Sequence, residues 1–442
     1  MSAPAPAPTR SRADRTTPPA RRPRHPHAVA AAAFLAAATA FGATPRAIAQ
    51  SAAPAARPPA DTSAPPGRSA APARRLWYER LGLRGYTQAR YNGLLRTNPA
   101  LTCPQCDRSI GRGGGLSLRR IRLIVSGDVS DRVYVYVQPD FASDANGVLH
   151  YGQIRDAYFD LALDGRKEFR VRLGQSKIPY GWENMQSSSN RLPLDRSDGI
   201  NSALPNERDV AAIAYWAPAH VRRRLQALVD SGLKGSGDYG VLGVGAFNGQ
   251  GANRPESNDD LHAVVRAAYP FQLRNGQFVE LGVQGYRGRY VLPPALRSAG
   301  ITAPADFADE RAAATFVLYP QPFGLQAEWN VGRGPEADPT GRLVRTRALS
   351  GGYVLASYRW RSTGQTVIPF ARAHRYDGGK KFELDARRYR VREAELGVEW
   401  LPTPAFELTA MYTFSDRRYE DLATPDNRQR GRLLRLQAQF NY

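Results

Sequence analysis

The fold class this sequence predicts is a transmembrane antiparallel β-barrel of about sixteen strands. Three observations predict it. Apolar/polar alternation of period two recurs along residues 82–442. The alternating segments are even in number and about 9–14 residues long. The connections between them sort by length, long on one side and short on the other. A strand tilted about 45° needs roughly 9–11 residues to cross a bilayer, and short turns facing long loops are the habit of transmembrane barrels.

The alternation is plainest in the last segment. Leu434, Leu436, Ala438, Phe440 and Tyr442 point one way, and Arg435, Gln437, Gln439 and Asn441 the other. In 169–175, Phe169, Val171 and Leu173 alternate with Arg170, Arg172 and Gly174; in 406–414, Phe406, Leu408, Ala410, Tyr412 and Phe414 alternate with Glu407, Thr409, Met411 and Thr413. Strands are expected at 82–92, 116–126, 132–141, 151–163, 169–177, 208–218, 238–247, 259–269, 277–288, 310–319, 323–332, 347–360, 365–375, 389–400, 405–415 and 431–442. Odd-numbered connections are long and even-numbered ones short, with one exception at 219–237, where a short helix on the periplasmic side is an option. Tyr180, Trp182, Tyr215, Trp216, Tyr286, Tyr290, Trp329, Tyr358, Trp360 and Trp400 stand near strand ends, where half-apolar rings suit the headgroup zone.

Composition sets the bounds. Charged residues make up 23% of the 442 and mean hydropathy is −0.47, which excludes a bundle of apolar membrane helices. With 16 Phe and 21 Tyr the chain is too aromatic to be wholly disordered. Two Cys exclude a disulfide scaffold or a four-thiolate zinc site. The formal charge of +21 first suggests nucleic acid or anionic solutes. Nucleic acid is set aside, because the N-terminus reads as an export signal. Residues 1–27 are basic and Pro/Ala-rich, an apolar run covers Ala28–Ala43, and Ala47-Ile48-Ala49 offers a small-residue cleavage site. Residues 1–49 therefore read as a signal peptide, 50–81 as an Ala/Pro/Arg-rich linker and 82–442 as the barrel. Without residues 1–49 the chain keeps 54 basic and 39 acidic residues.

Several stretches resemble the phosphate-selective porin O/P family of sixteen-stranded outer-membrane porins: LRRIRLIVSG (118–127), IRDAYFDLAL (154–163), FRVRLGQSKIPYG (169–181), RSDGINSALPNERDV (196–210), GVGAFNGQGAN (243–253), PFGLQAEW (322–329) and RLQAQFNY (435–442). The resemblance implies a homotrimer in outer-membrane lipid that passes small hydrophilic solutes, inorganic anions such as phosphate among them. It also implies that the third long loop, 178–207, folds into the lumen, with Arg191, Asp195, Arg196 and Asp198 as constriction candidates.

Sixteen strands enclose water, so the polar phase of each strand should line a channel. Pore-lining candidates are Arg84, Arg90, Arg120, Arg122, Arg170, Arg172, Arg266, Arg372 and Arg435, with Asp156, Asp160 and Glu328 among the acids. The basic residues crowd strands 1, 2 and 5 and most acids lie on strands 9 to 15, so opposed basic and acidic walls are expected. Arg forks suit phosphate and carboxylate oxygens, which makes the N-terminal wall the candidate anion track. Cys103 and Cys106, in the first long loop of an exported chain, read as a disulfide. Gly243-Val244-Gly245 lacks the rest of a nucleotide fingerprint. His150, His220, His262 and His374 are scattered, with no nucleophile motif beside them, so neither catalysis, a metal nor a cofactor is expected. The reading is a passive aqueous channel; the alternative is a non-channel barrel that is adhesive, structural or enzymatic.

Overall fold

The computed structural model describes residues 76–97, 110, 115–145, 148–419 and 427–442. Its strands form one closed antiparallel sheet. In chain order they are β1 (Leu81–Thr97), β2 (Leu116–Asp128), β3 (Val133–Ala145), β4 (Val148–Ala162), β5 (Phe169–Lys177), β6 (Arg208–Trp216), β7 (Leu242–Phe247) and β8 (His262–Gln272). β9 (Phe278–Tyr290), β10 (Phe307–Leu318), β11 (Phe323–Ala337), β12 (Val344–Tyr358), β13 (Gln365–Gly379), β14 (Arg388–Thr403), β15 (Phe406–Tyr419) and β16 (Arg428–Asn441) follow. Trp360–Ser362 continues β12 along β13, so the barrel has sixteen staves. Every strand pairs with its chain neighbours, and β1 closes the circle on β16 with Tyr86 opposite Asn441 and Asn92 opposite Arg435. Closure leaves no unpaired edge, which lipid would not tolerate.

The period-two pattern becomes an inside and an outside. On β6, Ala211, Ile213 and Tyr215 are buried while Val210 is exposed. Leu83, Val125, Phe159, Val283, Leu396 and Phe440 belong to an apolar outer face that suits hydrocarbon. Strand parity also corrects the expected aromatic belt. Tyr180, Trp182, Tyr215, Tyr286 and Tyr290 are buried inside, whereas Trp329, Tyr358 and Trp360 are exposed outside. Neighbours on a strand face opposite ways, so position near a strand end cannot assign a ring to the membrane.

Strands run further than the alternation suggests, β1 to Thr97, β3 to Ala145 and β13 to Gly379. Ladder bonds continue past the apolar outer band, where the sequence no longer alternates. Two strands are shorter than expected, β6 ending at Trp216 and not 218. β7 begins at Leu242, not 238, because the preceding residues belong to an insert that holds helix α3 (Ala219–Asp230). Two single turns, α1 (Trp182–Met185) and α2 (Asp198–Asn201), shape the 178–207 loop. Among the described residues no helix is long and apolar enough to cross a membrane. Cys103 and Cys106 lie outside the described residues.

Candidate functional site

The loop 178–207 fills the lumen and is tied to inward residues around most of the barrel. Tyr86 and Ser188 share a hydrogen bond of 2.8 Å, and Gln88 Nε2 donates to the Ser188 carbonyl at 3.1 Å. Arg90 Nη1 donates to Asp195 Oδ1 at 3.2 Å and its Nη2 to the Leu194 carbonyl at 3.0 Å. Arg435 of β16 takes the other oxygen of Asp195. Across the barrel, Glu328 accepts the backbone N–H groups of Trp182 (2.6 Å) and Glu183 (3.2 Å), which α1 leaves without internal partners. Arg372 bridges Glu183 and Glu395, each at 2.6 Å. Asp198 is held by Arg417 Nη2 at 2.8 Å and by Lys380.

Apolar packing fixes the same loop. Leu192, Leu194 and Ile200 are buried against Tyr353, Leu355, Ile368, Phe370 and Met411, and each such side chain contributes about 1.5–3 kcal/mol. Gly199 lies flat on β12. A Cβ there would sit 2.5 Å from the Gly351 carbonyl carbon, so only glycine at 199 permits the approach. Burial pushes the Asp195 carboxyl up, but the guanidiniums of Arg435, Arg90 and Arg119 reverse this and hold it well below the usual carboxylate range. Glu207 is lowered in the same way: Arg196 and Arg208 outweigh its burial.

A second element enters from the opposite rim. In α3, Val221, Leu225 and Leu228 recur at helical spacing and are buried. Leu228 and Leu233 pack with Trp182, Val317 and Tyr319. Gln186 Nε2 donates to the Lys234 carbonyl at 2.6 Å, and Asn190 Nδ2 to the Gly235 carbonyl at 2.8 Å. Lys234 Nζ lies 2.5 Å from Glu399. Loop and insert therefore meet inside the barrel.

Beside them, against the β1–β6 wall, remains a chamber of about 650 Å³. Its lining holds nine Arg or Lys and five Asp. Of the residues expected in the pore, Arg84, Arg122, Asp156, Asp160, Arg170 and Arg172 come together here. Arg172 grips Asp160 through Nε (2.7 Å) and Nη2 (2.9 Å), and Arg170 lies 2.8 Å from Asp238 of the insert. Asp156 pairs with Arg208 at 2.8 Å, and Arg122 with Asp140 at 2.8 Å. Lys177 is capped by the carbonyls of Met185 and Gln186, with no carboxylate within 4.0 Å among the described residues.

The other candidates lie elsewhere. Arg90 and Arg435 clasp Asp195, and Glu328 anchors the loop. Arg191 and Arg196 brace it internally, Arg191 on the Pro193 and Leu194 carbonyls and Arg196 on Glu207 at 2.6 Å. Arg120 donates to Gln88 at 2.7 Å and, among the described residues, has no carboxylate partner. Opposed charged walls are not what forms. Arg266 meets Glu280 on the adjacent strand at 3.1 Å and Arg372 meets Glu395, so much of the acidic side is neutralised locally. Lys177, Asp238 and Lys234 are not among the expected residues; they stand in or beside connections, where the strand alternation gives no guide. Asp198, His374 and Glu393 converge, but Arg417 already bridges the two carboxylates at 2.8 and 2.7 Å, which makes the group an ion-pair network.

A sequence model of the family described as phosphate-selective porin O and P matches residues 102–442. No curated protein sequence matches the chain. Among solved structures, Salmonella typhi OmpF in complex with daunomycin is similar at 13% identity, covering 82% of this chain and 97% of that one, with a TM-score of 0.52. The outer membrane channel DcaP of Acinetobacter baumannii is similar at 14% identity, covering 82% and 97%, with a TM-score of 0.49. Pseudomonas putida OprB is similar at 10% identity, covering 83% and 95%, with a TM-score of 0.49. At such identities the likeness is one of fold.

Proposed function

Because the chain belongs to the phosphate-selective porin O and P family, and so is an outer-membrane channel, we propose that it passes small hydrophilic anions, phosphate among them, by passive diffusion. The observation that supports this most is the chamber lining, with nine cationic side chains against five carboxylates. A low-dielectric wall strengthens that bias, and Arg or Lys at a constriction favours anions. Solutes are sieved where loop and insert meet the wall. The working unit is a homotrimer in outer-membrane lipid, exported through a signal peptide at 1–49, which leaves 50–81 as a linker. Cys103 and Cys106 form a disulfide in the first long loop.

The test is the reversal potential of purified protein in a planar bilayer under a potassium chloride gradient, then with phosphate added. A chloride-favouring potential with block by phosphate supports the reading, and weak selectivity without block leaves a general porin. One observation favours a second reading: loop and insert bury inward side chains as far around as Arg372 and Gln439. A barrel so filled also suits an adhesive or structural role, and the absence of any conductance steps would choose it.

A further inference from the structure

The chamber has aromatic faces that an inorganic anion does not use. Tyr134 and Tyr136 stand two residues apart on β3, and Tyr158 stands opposite Tyr136 in the register. The rings of Tyr136 and Tyr158 stack at 5.1 Å with planes 11° apart. Tyr239 adds a fourth ring from the insert, and all four line the chamber while remaining partly exposed. The Arg172 guanidinium carbon lies 3.9 Å from the Tyr158 ring centre and 5.7 Å from that of Tyr239. Asp160 occupies its Nε and Nη2 and so fixes its plane, leaving Nη1 for a further acceptor. Lys177 lines the same space, its Nζ held by the Met185 and Gln186 carbonyls with one donor to spare.

Chloride or phosphate gains nothing from ring faces, whereas a flat apolar ring that stacks on them leaves water. A volume of about 650 Å³ falls within the range of small-molecule sites. Resting on the anion-channel reading, we propose that this chamber is a binding site for organic anions that carry a flat ring, with the carboxylate on Arg172 and Lys177 and the ring on the tyrosine strip.

The probes are acetate, benzoate and cyclohexanecarboxylate, which share one charge and differ in the group attached. Benzoate is expected to block the chloride current of the full-length protein at a concentration roughly 3- to 10-fold below acetate, the worth of one offset ring stack. Cyclohexanecarboxylate should fall near acetate. In Tyr136→Leu with Tyr158→Leu the ratio of the two blocking concentrations should approach one, whereas Tyr136→Phe with Tyr158→Phe should keep it. Calorimetric titration of the detergent-solubilised protein with the same three anions measures binding whether or not the barrel conducts. Equal affinity for acetate and benzoate in the native protein overturns the proposal, as does a cyclohexanecarboxylate affinity matching that of benzoate. Cation selectivity or missing conductance would instead overturn the channel reading, with benzoate binding still decided by calorimetry.

Discussion

Among the described residues Arg120 is hydrogen-bonded to Gln88 and to no carboxylate, and this makes it the sharpest residue to test. Arg120→Glu should lower the anion-to-cation permeability ratio by roughly fivefold, the effect of about 1 kcal/mol from a nearby charge in a watery channel. Reversal potentials under a salt gradient check this, and an unchanged ratio removes Arg120 from the solute path. Arg172 behaves differently. Its buried pair with Asp160 means that Arg172→Ala leaves that carboxylate the longer contact with Arg170, at 3.8 Å, at a cost of about 3 kcal/mol. Adding Asp160→Asn should recover much of that loss in thermal unfolding followed by gel mobility; additive effects would contradict the pairing. Alternation in the sequence shows that Arg170, Arg172 and Asp160 all face inward, which leaves pairing with Asp160 open, yet nothing in it points to Asp238. Partners lie across strands or on a distant insert, and one-dimensional spacing carries no register.

At the scale of elements, constriction is shared between a loop and a helix that approach each other from opposite rims. Gly199→Val should strain the loop against β12 by about 1–3 kcal/mol and give larger, noisier current steps. Native-like steps would show that the loop tolerates the extra bulk. Replacing 219–237 by a short turn should likewise raise single-channel conductance, and an unchanged conductance would mean that the insert lies off the path. The insert was half legible. Its length breaks the short-turn rule and Val221, Leu225 and Leu228 repeat at helical spacing, but nothing in that spacing says that Leu228 packs against Trp182 inside the barrel. Tyr215 and Trp216 make the same point, since adjacent rings divide between lumen and lipid.

For the whole molecule, strand number and order follow from alternation because a closed antiparallel sheet pairs each strand with its chain neighbour. The filling of its centre is less legible, being built from residues whose sequence separation exceeds 100, such as Arg372 with Glu183. That filling is ionic, so it should respond to acid. Asp195, Asp198 and Glu207 all titrate below their ordinary range: burial raises each of them, and neighbouring guanidiniums, with Lys380 at Asp198, more than offset it. Groups depressed in the folded state add stability that is complete above their unfolded value, about 4, and is lost as pH falls below it. Open-channel noise should therefore rise between pH 4 and lower values, and a flat record down to about pH 2 would contradict it.

The clasp on Asp195 carries a consequence for assembly. Its two guanidiniums, Arg90 and Arg435, come from the first and last strands of the sheet. They stand together only once the seam between those strands has zipped. Before that moment the carboxylate lacks half its grip, and the plug has no latch on that flank. Sealing the wall and narrowing the bore are thus one cooperative event, and a chain halted before its final strand would hold neither.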